Sequence, residues 1–349
     1  MPGGGVVPHT ARMTPDRFPH WRQALSRVRL GLGDAKLLVV SDSTAMGDDD
    51  LGAPGHSWPN NLASLIGDQA TPAAIGLATP PLSGSVDSRW TAGAGWPSDR
   101  NLGFGNKGWQ AVAPAGALVF SDPRVTADRF DVYYATNYPF GSITVQATGG
   151  AAQTVNTSGD PGIAKVTVSA ASAATTNAVT ITASGNQVFL CGVEPWRSTR
   201  STIRVGNGGV ASSSTDTWIT PYFGGLASIQ AYGPDLTLIN LGTNDAINNA
   251  PSDRYLSQLQ QIIDAAATTS DVVVMTNVPA QESALVTLQA QYATAVRGLA
   301  TRPLIDLFDR CGGTWDTLNG LGFMLDQHHP NPAGHWDIAG FMSAALRGV

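Results

Sequence analysis

The sequence predicts an α/β protein: a five-stranded parallel sheet between layers of helices, interrupted by an antiparallel β-sandwich. Two observations carry this. Continuous apolar runs, each ending in a polar turn, recur along the chain with helical patterns between the later ones. Between the first run and the second, from about Gly103 to Arg197, the pattern changes to short alternating strands.

The first run is Leu37-Leu38-Val39-Val40, followed by Ser41-Asp42-Ser43-Thr44. A continuous apolar run of this length fits a strand buried on both faces, as in a parallel sheet. Thr202–Val205, Leu236–Ile239, Val272–Met275 and Leu304–Leu307 repeat the signal. Helical spacing occupies Leu256–Ala267 and Ala284–Leu299, and Pro332–Leu346 reads as a last helix. An earlier helix is expected over Pro15–Arg29, with Thr14 as N-cap and Pro15 at its first position. Strands alternating with helices imply right-handed crossovers and helices on both faces of the sheet.

Phe130–Tyr134, Ser142–Val145, Lys165–Val168 and Ala178–Ile181 carry the two-residue period, and Gly149-Gly150, Gly159-Asp160-Pro161-Gly162 and Ser184-Gly185-Asn186 separate them. The expected organisation is a discontinuous α/β domain, residues 1–102 and 198–349, with a β-sandwich inserted at 103–197.

Composition narrows the function. The 349 residues are 42% hydrophobic, enough for a sizeable core, whereas only 13% are charged, against about a quarter in ordinary domains. The net charge is −6 and lysine occurs only at Lys36, Lys107 and Lys165, so there is no cationic stripe for nucleic acid or for an anionic membrane surface. No apolar stretch approaches the length of a membrane span. Met1–Thr10 lacks the apolar run of a secretory signal. The expected locations are therefore the cytoplasm, release by lysis, or a phage particle. Cys191 and Cys311 have no CxxC partner and are read as buried small hydrophobes.

Four polar segments carry the chemistry. Three follow strands: Ser41-Asp42-Ser43-Thr44, Asn207-Gly208-Gly209-Val210 and Gly242-Thr243-Asn244-Asp245. The fourth, Asp326-Gln327-His328-His329-Pro330-Asn331, precedes the last helix. Ligands and reacting groups in parallel sheets gather at the strands' carboxyl ends. Hydrolysis of an ester requires an activated hydroxyl, a general base and donors for the oxyanion, and these segments contain all three. No serine sits in the GxSxG pattern of the nucleophile elbow.

In this order the four segments resemble the blocks of the SGNH (GDSL-like) hydrolase family. The first matches its GDS block with Ser41 in place of glycine, the third its GxND block, and the fourth its DxxHP block. The second fits N-x-G with Gly209 as the matching glycine, Gly208 one residue away, and Ser212 where a further glycine is common. The resemblance covers roughly residues 34–100 and 200–349. It implies a three-layer, flavodoxin-like α/β/α fold. It also implies Ser43 as nucleophile, His329 as base and acid, and Asp326 as the carboxylate that orients the imidazole. The backbone N–H groups of Ser43 and Gly209 and the side-chain amide of Asn244 would form the oxyanion hole. No cofactor and no metal is implied.

Competing readings attach to neighbouring residues. His328 is the bystander of the histidine pair, and His335 a surface or helix-capping residue. Asp48-Asp49-Asp50 is read as a solvated loop rather than a calcium site, since no EF-hand spacing follows. Of nine tryptophans, Trp21, Trp58, Trp218 and Trp336 are assigned to the core or a pocket wall. Trp90, Trp96, Trp109 and Trp196, near the junctions of the insert, are candidates for stacking on sugar, with domain-interface packing as the alternative. The insert resembles, by pattern alone, the jelly-roll or carbohydrate-binding-module-like sandwiches of some polysaccharide-acting esterases. Deleting 103–197 is expected to spare small esters and lose the polymer.

The expected activity is a serine esterase that deacylates, most simply deacetylates, a polysaccharide or envelope glycan. The alternatives are a lipase or thioesterase of the same family, or a non-enzymatic glycan-binding virion or surface protein.

Overall fold

The structure is a computed structural model that describes residues 11–47, 56–69, 73–75, 77–78, 88–97, 102–104, 108–112, 114–173, 176–221, 224–299 and 301–349. Asp48, Asp49 and Asp50, and Met1 to Thr10, lie outside these. The α/β body begins with β1 (Ala11–Arg12), β2 (Ala35–Ser41) and β3 (Ala73–Ile75). The β-region holds β4 (Trp90–Ala92), β5 (Trp109–Ala111), β6 (Leu118–Phe120), β7 (Arg129–Thr136), β8 (Ser142–Ala147), β9 (Gln153–Asn156), β10 (Gly162–Ser169), β11 (Val179–Ser184) and β12 (Val188–Trp196). The body resumes with β13 (Ile203–Gly209), β14 (Leu236–Asn240), β15 (Asp271–Met275) and β16 (Leu304–Ile305).

The body's sheet has the order β1-β16-β15-β14-β2-β13-β3. All five anticipated strands are in it and run parallel. The strand count is corrected: β3 adds a parallel edge beside β13, and β1 adds an antiparallel edge beside β16. These strands are too short to leave a hydrophobic period in the sequence.

Alternation explains the apolar run of β2. Leu37 and Val39 face one layer, with Trp21, Trp58, Leu62 and Met342, and Leu38 and Val40 face the other, with Tyr232, Leu259 and Ile262. Helices α1 (Pro19–Arg29), α2 (Ser43–Met46) and α3 (Trp58–Ile66) precede the β-region. After it come α4 (Thr215–Ile219), α5 (Gly225–Tyr232), α6 (Thr243–Ile247), α7 (Ser252–Ala266), α8 (Ser283–Arg297), α9 (Leu307–Arg310), α10 (Trp315–Gly320) and α11 (Pro332–Leu346). The helix anticipated from Pro15 is interrupted. Pro15–Arg17 form a single 3₁₀ turn, Phe18 leaves helical geometry, and α1 starts at Pro19. Pro19 has no N–H for the Pro15 carbonyl and disfavours helical angles in the residue before it. Thr14 provides no side-chain cap.

In the β-region, β10-β7-β12-β5 form one antiparallel sheet and β4-β6-β11-β8-β9 another. Their facing side chains share one cluster, including Phe120, Val132, Val145, Ile181 and Leu190. Strand β7 is buried on both faces: Phe130, Val132 and Tyr134 enter that cluster, whereas Tyr133 and Ala135 enter the core of the α/β body with Phe104 and Cys191. Clean removal of 103–197 is therefore not available, because it would strip side chains from the body's own core.

The join also contains a buried ionic network. Glu194, fully buried, accepts from Tyr232 at 2.9 Å and Tyr133 at 3.2 Å, and lies 3.0 Å from Lys36 and 3.3 Å from Arg204. Burial alone would raise its carboxyl, but Arg204 and Lys36 outweigh that and hold it at about 2. Cys191 and Cys311 are buried and unbonded, with burial raising both thiols. Among the described residues no helix is long and apolar enough to cross a membrane.

Candidate active site

The carboxyl ends of β2, β13 and β14 lie side by side, with Gly209 and Asn240 each in register with Ser41. Strand β2 ends in Ser41, whose hydroxyl is buried and donates to the Asn240 carbonyl at 2.8 Å. The serine that replaces glycine in the first segment thus ties β2 to β14. Asp42 then caps α2, accepting from the Thr44 N–H at 2.9 Å and the Thr44 hydroxyl at 2.7 Å. Its second oxygen is buried without a partner. Burial, only partly offset by Thr44, pushes its carboxyl up to about 6.

Ser43, the first residue of α2, places Oγ 2.9 Å from His329 Nε2. His329 Nδ1 lies 2.8 Å from Asp326 Oδ2. The other Asp326 oxygen accepts the backbone N–H groups of His328 and His329, each at 2.7 Å. Burial would raise the Asp326 carboxyl, but these two amides and the imidazole together hold it below the ordinary carboxylate range. An ionised Asp326 assigns the shared proton to Nδ1 and leaves Nε2 to accept from the Ser43 hydroxyl.

The segment that delivers both groups is a tight excursion between α10 and α11. Leu325 N–H donates to the His329 carbonyl, and Asn331 caps α11 through the Gly334 N–H. Trp315, not anticipated from the sequence, donates its indole N–H to the Asp326 carbonyl at 3.1 Å. His328 lies 3.5 Å from Glu282. His335 is buried rather than on the surface: Nδ1 accepts the Trp58 N–H at 3.2 Å, and burial pushes it down to about 4. It caps α3, not its own helix.

The donor set differs from expectation at Gly209. Its N–H donates to Asn207 Oδ1 at 2.8 Å, so it is already committed. Glycine is required there because a Cβ would meet Met46 N at 2.8 Å and Ala45 C at 2.9 Å. The close approach is by the Ser43 loop itself, not by a ligand. Asn207 also donates to the Ala45 carbonyl at 2.9 Å, locking that loop to β13. Ser212 stands beyond it in the left-handed region at φ 62°, where glycine would be unstrained. The Asn244 amide donates to the Ser213 carbonyl at 2.9 Å, which uses one of its two N–H bonds. Asp245 accepts from Thr215 through backbone and hydroxyl and so joins this turn to α4.

The expected sugar-stacking tryptophans mostly fail. Trp90, Trp96 and Trp109 are at most 8% exposed and belong to the β-region's cluster. Trp90 lies edge-on to Phe120, and Trp96 donates to the Gly116 carbonyl at 2.6 Å. Only Trp196 of the four is partly open. Trp336, assigned to the core, is 46% exposed, whereas Trp21, Trp58 and Trp218 are buried as expected.

The sequence matches the GDSL-like lipase/acylhydrolase family over residues 196–336, a span that holds β13, Asn244, Asp326 and His329. The fold of nearly the whole chain is similar to that of a peptidoglycan O-acetylesterase, with 15% identity and a TM-score of 0.71 over 94% of this chain and 95% of that one. An acetylxylan esterase from Geobacillus stearothermophilus is similar over 43% of this chain and 74% of its own, with 15% identity and a TM-score of 0.35. A carbohydrate esterase family 3 protein from Talaromyces cellulolyticus gives 21% identity and 0.33 over 42% and 72%. No curated protein matches by sequence.

Proposed function

We propose that the chain deacetylates a polysaccharide or cell-envelope glycan through Ser43, His329 and Asp326. The observation that carries this is the relay of 2.9 Å from Ser43 to His329 and 2.8 Å from His329 to Asp326. His329 Nε2 takes the hydroxyl proton as Ser43 Oγ bonds to the carbonyl carbon. As the tetrahedral adduct collapses, the bond to the sugar oxygen breaks and His329 returns the proton to that oxygen. Water repeats the sequence on the acetyl-serine, releasing acetic acid and restoring Ser43. Asp326 orients the imidazole and stabilises its charged form. The Ser43 N–H and the remaining Asn244 N–H serve the oxyanion; Gly209 does not.

The β-region supports a polymeric substrate. Helix α5 runs back along the body, its Tyr232 carbonyl accepting from Lys36 at the start of β2. At its other end a Cβ on Gly224 would meet Ile163 of β10 at 3.2 Å. That end of β10 thus sits level with the strands' carboxyl ends, where Ser43 lies. In this reading the two sheets, as a jelly-roll-like domain at 103–197 extended to include β4, flank the cleft. The likeness to the peptidoglycan O-acetylesterase spans this region too, which favours an acetylated glycan.

The test is acetate release from acetylated peptidoglycan and acetylxylan, beside p-nitrophenyl esters from acetate to palmitate. Acetate release with a preference for the shortest ester is expected. A maximum at long acyl chains with no release from glycans would overturn the substrate and leave the relay standing.

A further inference from the structure

A second feature lies at the other end of the sheet. A cavity of about 350 Å³, within the usual range for ligand sites, opens where the β-region meets α3, β3 and the start of β13. Four arginines line it, Arg124, Arg197, Arg200 and Arg204, together with Trp196, and among the described residues no carboxylate does. Two of the four are answered from behind. Arg124 donates to both oxygens of Asp122 at 2.9 and 2.7 Å, and Arg204 lies 3.1 Å from Asp34 and 3.3 Å from Glu194. Arg197 donates to the Thr199 hydroxyl at 3.1 Å. Among the described residues neither Arg197 nor Arg200 meets a carboxylate, although the chain as a whole carries −6.

Trp196 gives the cavity an aromatic wall in a fixed orientation. Its indole N–H donates to Asp131 at 3.2 Å, and the Arg204 guanidinium sits 5.0 Å from its ring. Guanidinium groups bind carboxylates through paired N–H donors, and an indole face suits the C–H face of a sugar ring. Strand β13 runs from Arg204 at this cavity to Gly209 at the Ser43 loop, so roughly 15–20 Å at about 3.3 Å per residue separates the two places.

We propose that this cavity binds an acidic sugar unit, a carboxylate-bearing residue of a polysaccharide, and so holds an anionic polymer at a point remote from Ser43. The carboxylate meets Arg197 and Arg200, and the ring lies against Trp196. The site does not rest on the esterase reading, since it shares no residue with the relay.

The experiment is calorimetric titration with a glucuronate-containing oligosaccharide, the same oligosaccharide after carboxyl reduction, and inorganic phosphate. It is made on the parent and on the double variant Arg197→Ala/Arg200→Ala, whose exposed side chains leave the core untouched. Binding of the acidic oligosaccharide is expected, at least tenfold weaker after carboxyl reduction and at least tenfold weaker in the double variant. Added salt should weaken it further, and the thermal midpoint and p-nitrophenyl acetate turnover should stay at parental values. Equal binding of the reduced oligosaccharide, parental affinity in the double variant, or displacement by equimolar phosphate would each overturn the proposal. So would no binding at all. Loss of turnover together with binding would place the arginines in the cleft and also reject it.

Discussion

Asp42 offers a test of how the Ser43 loop is held. Its carboxyl is fully buried, one oxygen has no partner, and burial raises it from 3.8 to about 6. A carboxyl whose folded pKa exceeds its unfolded value favours folding when protonated. That advantage is complete below about 4 and disappears as pH rises through about 6. A shift of about 2 units corresponds to ~3 kcal/mol against the charged form at pH 8. Asp42→Asn keeps an oxygen for the two bonds from Thr44 and removes the charge. The variant should match the parent near pH 4 and exceed it at pH 8 by up to ~3 kcal/mol, roughly 5 °C in thermal midpoint for a chain of this size. Thermal unfolding followed by fluorescence at pH 4, 6 and 8 reads this directly. A variant less stable at pH 8, or offset equally at all three, would refute burial as the dominant influence on Asp42.

Two further outcomes follow from neighbouring groups. Glu194→Gln leaves Lys36 and Arg204 buried against a neutral amide, and should cost about 3–5 kcal/mol by denaturant titration at pH 7; a change below 1 kcal/mol would mean the join does not depend on that charge. Asn244→Ala should lower kcat about 10²–10³-fold on p-nitrophenyl acetate with little change in KM, and an unchanged kcat would remove its amide from the oxyanion site.

The fold was legible where burial is two-sided. Leu37–Val40 and Val272–Met275 are read by both helix layers, so their strands stand out in the chain. Ala73–Ile75 and Ala11–Arg12 are edges of two or three residues and carry no period. The segments around Ser43, Asp326 and His329 stood out as polar turns at a strand end and before the last helix, and the structure brings those three side chains together. The role of Gly209 was not legible, because sequence cannot say whether a glycine makes room for a ligand or for the chain's own backbone; here Met46 N decides it. The tryptophans misled for a related reason. Trp90 and Trp109 sit on short strands, and only the pairing of β4 with β6 and of β5 with β12 turns them inward. His335 shows the same limit: the Trp58 N–H it accepts is supplied by a distant helix.

In the proposed reaction Ser43 forms the covalent intermediate. Rapid acid quench during turnover of p-nitrophenyl acetate, followed by peptide mass mapping, should find an acetyl group on the peptide containing Ser43. Ser43→Ala should carry none and lose about 10⁴–10⁶ in kcat. Parental turnover by Ser43→Ala, or acetyl on a different residue that alone supports the rate, would contradict the account.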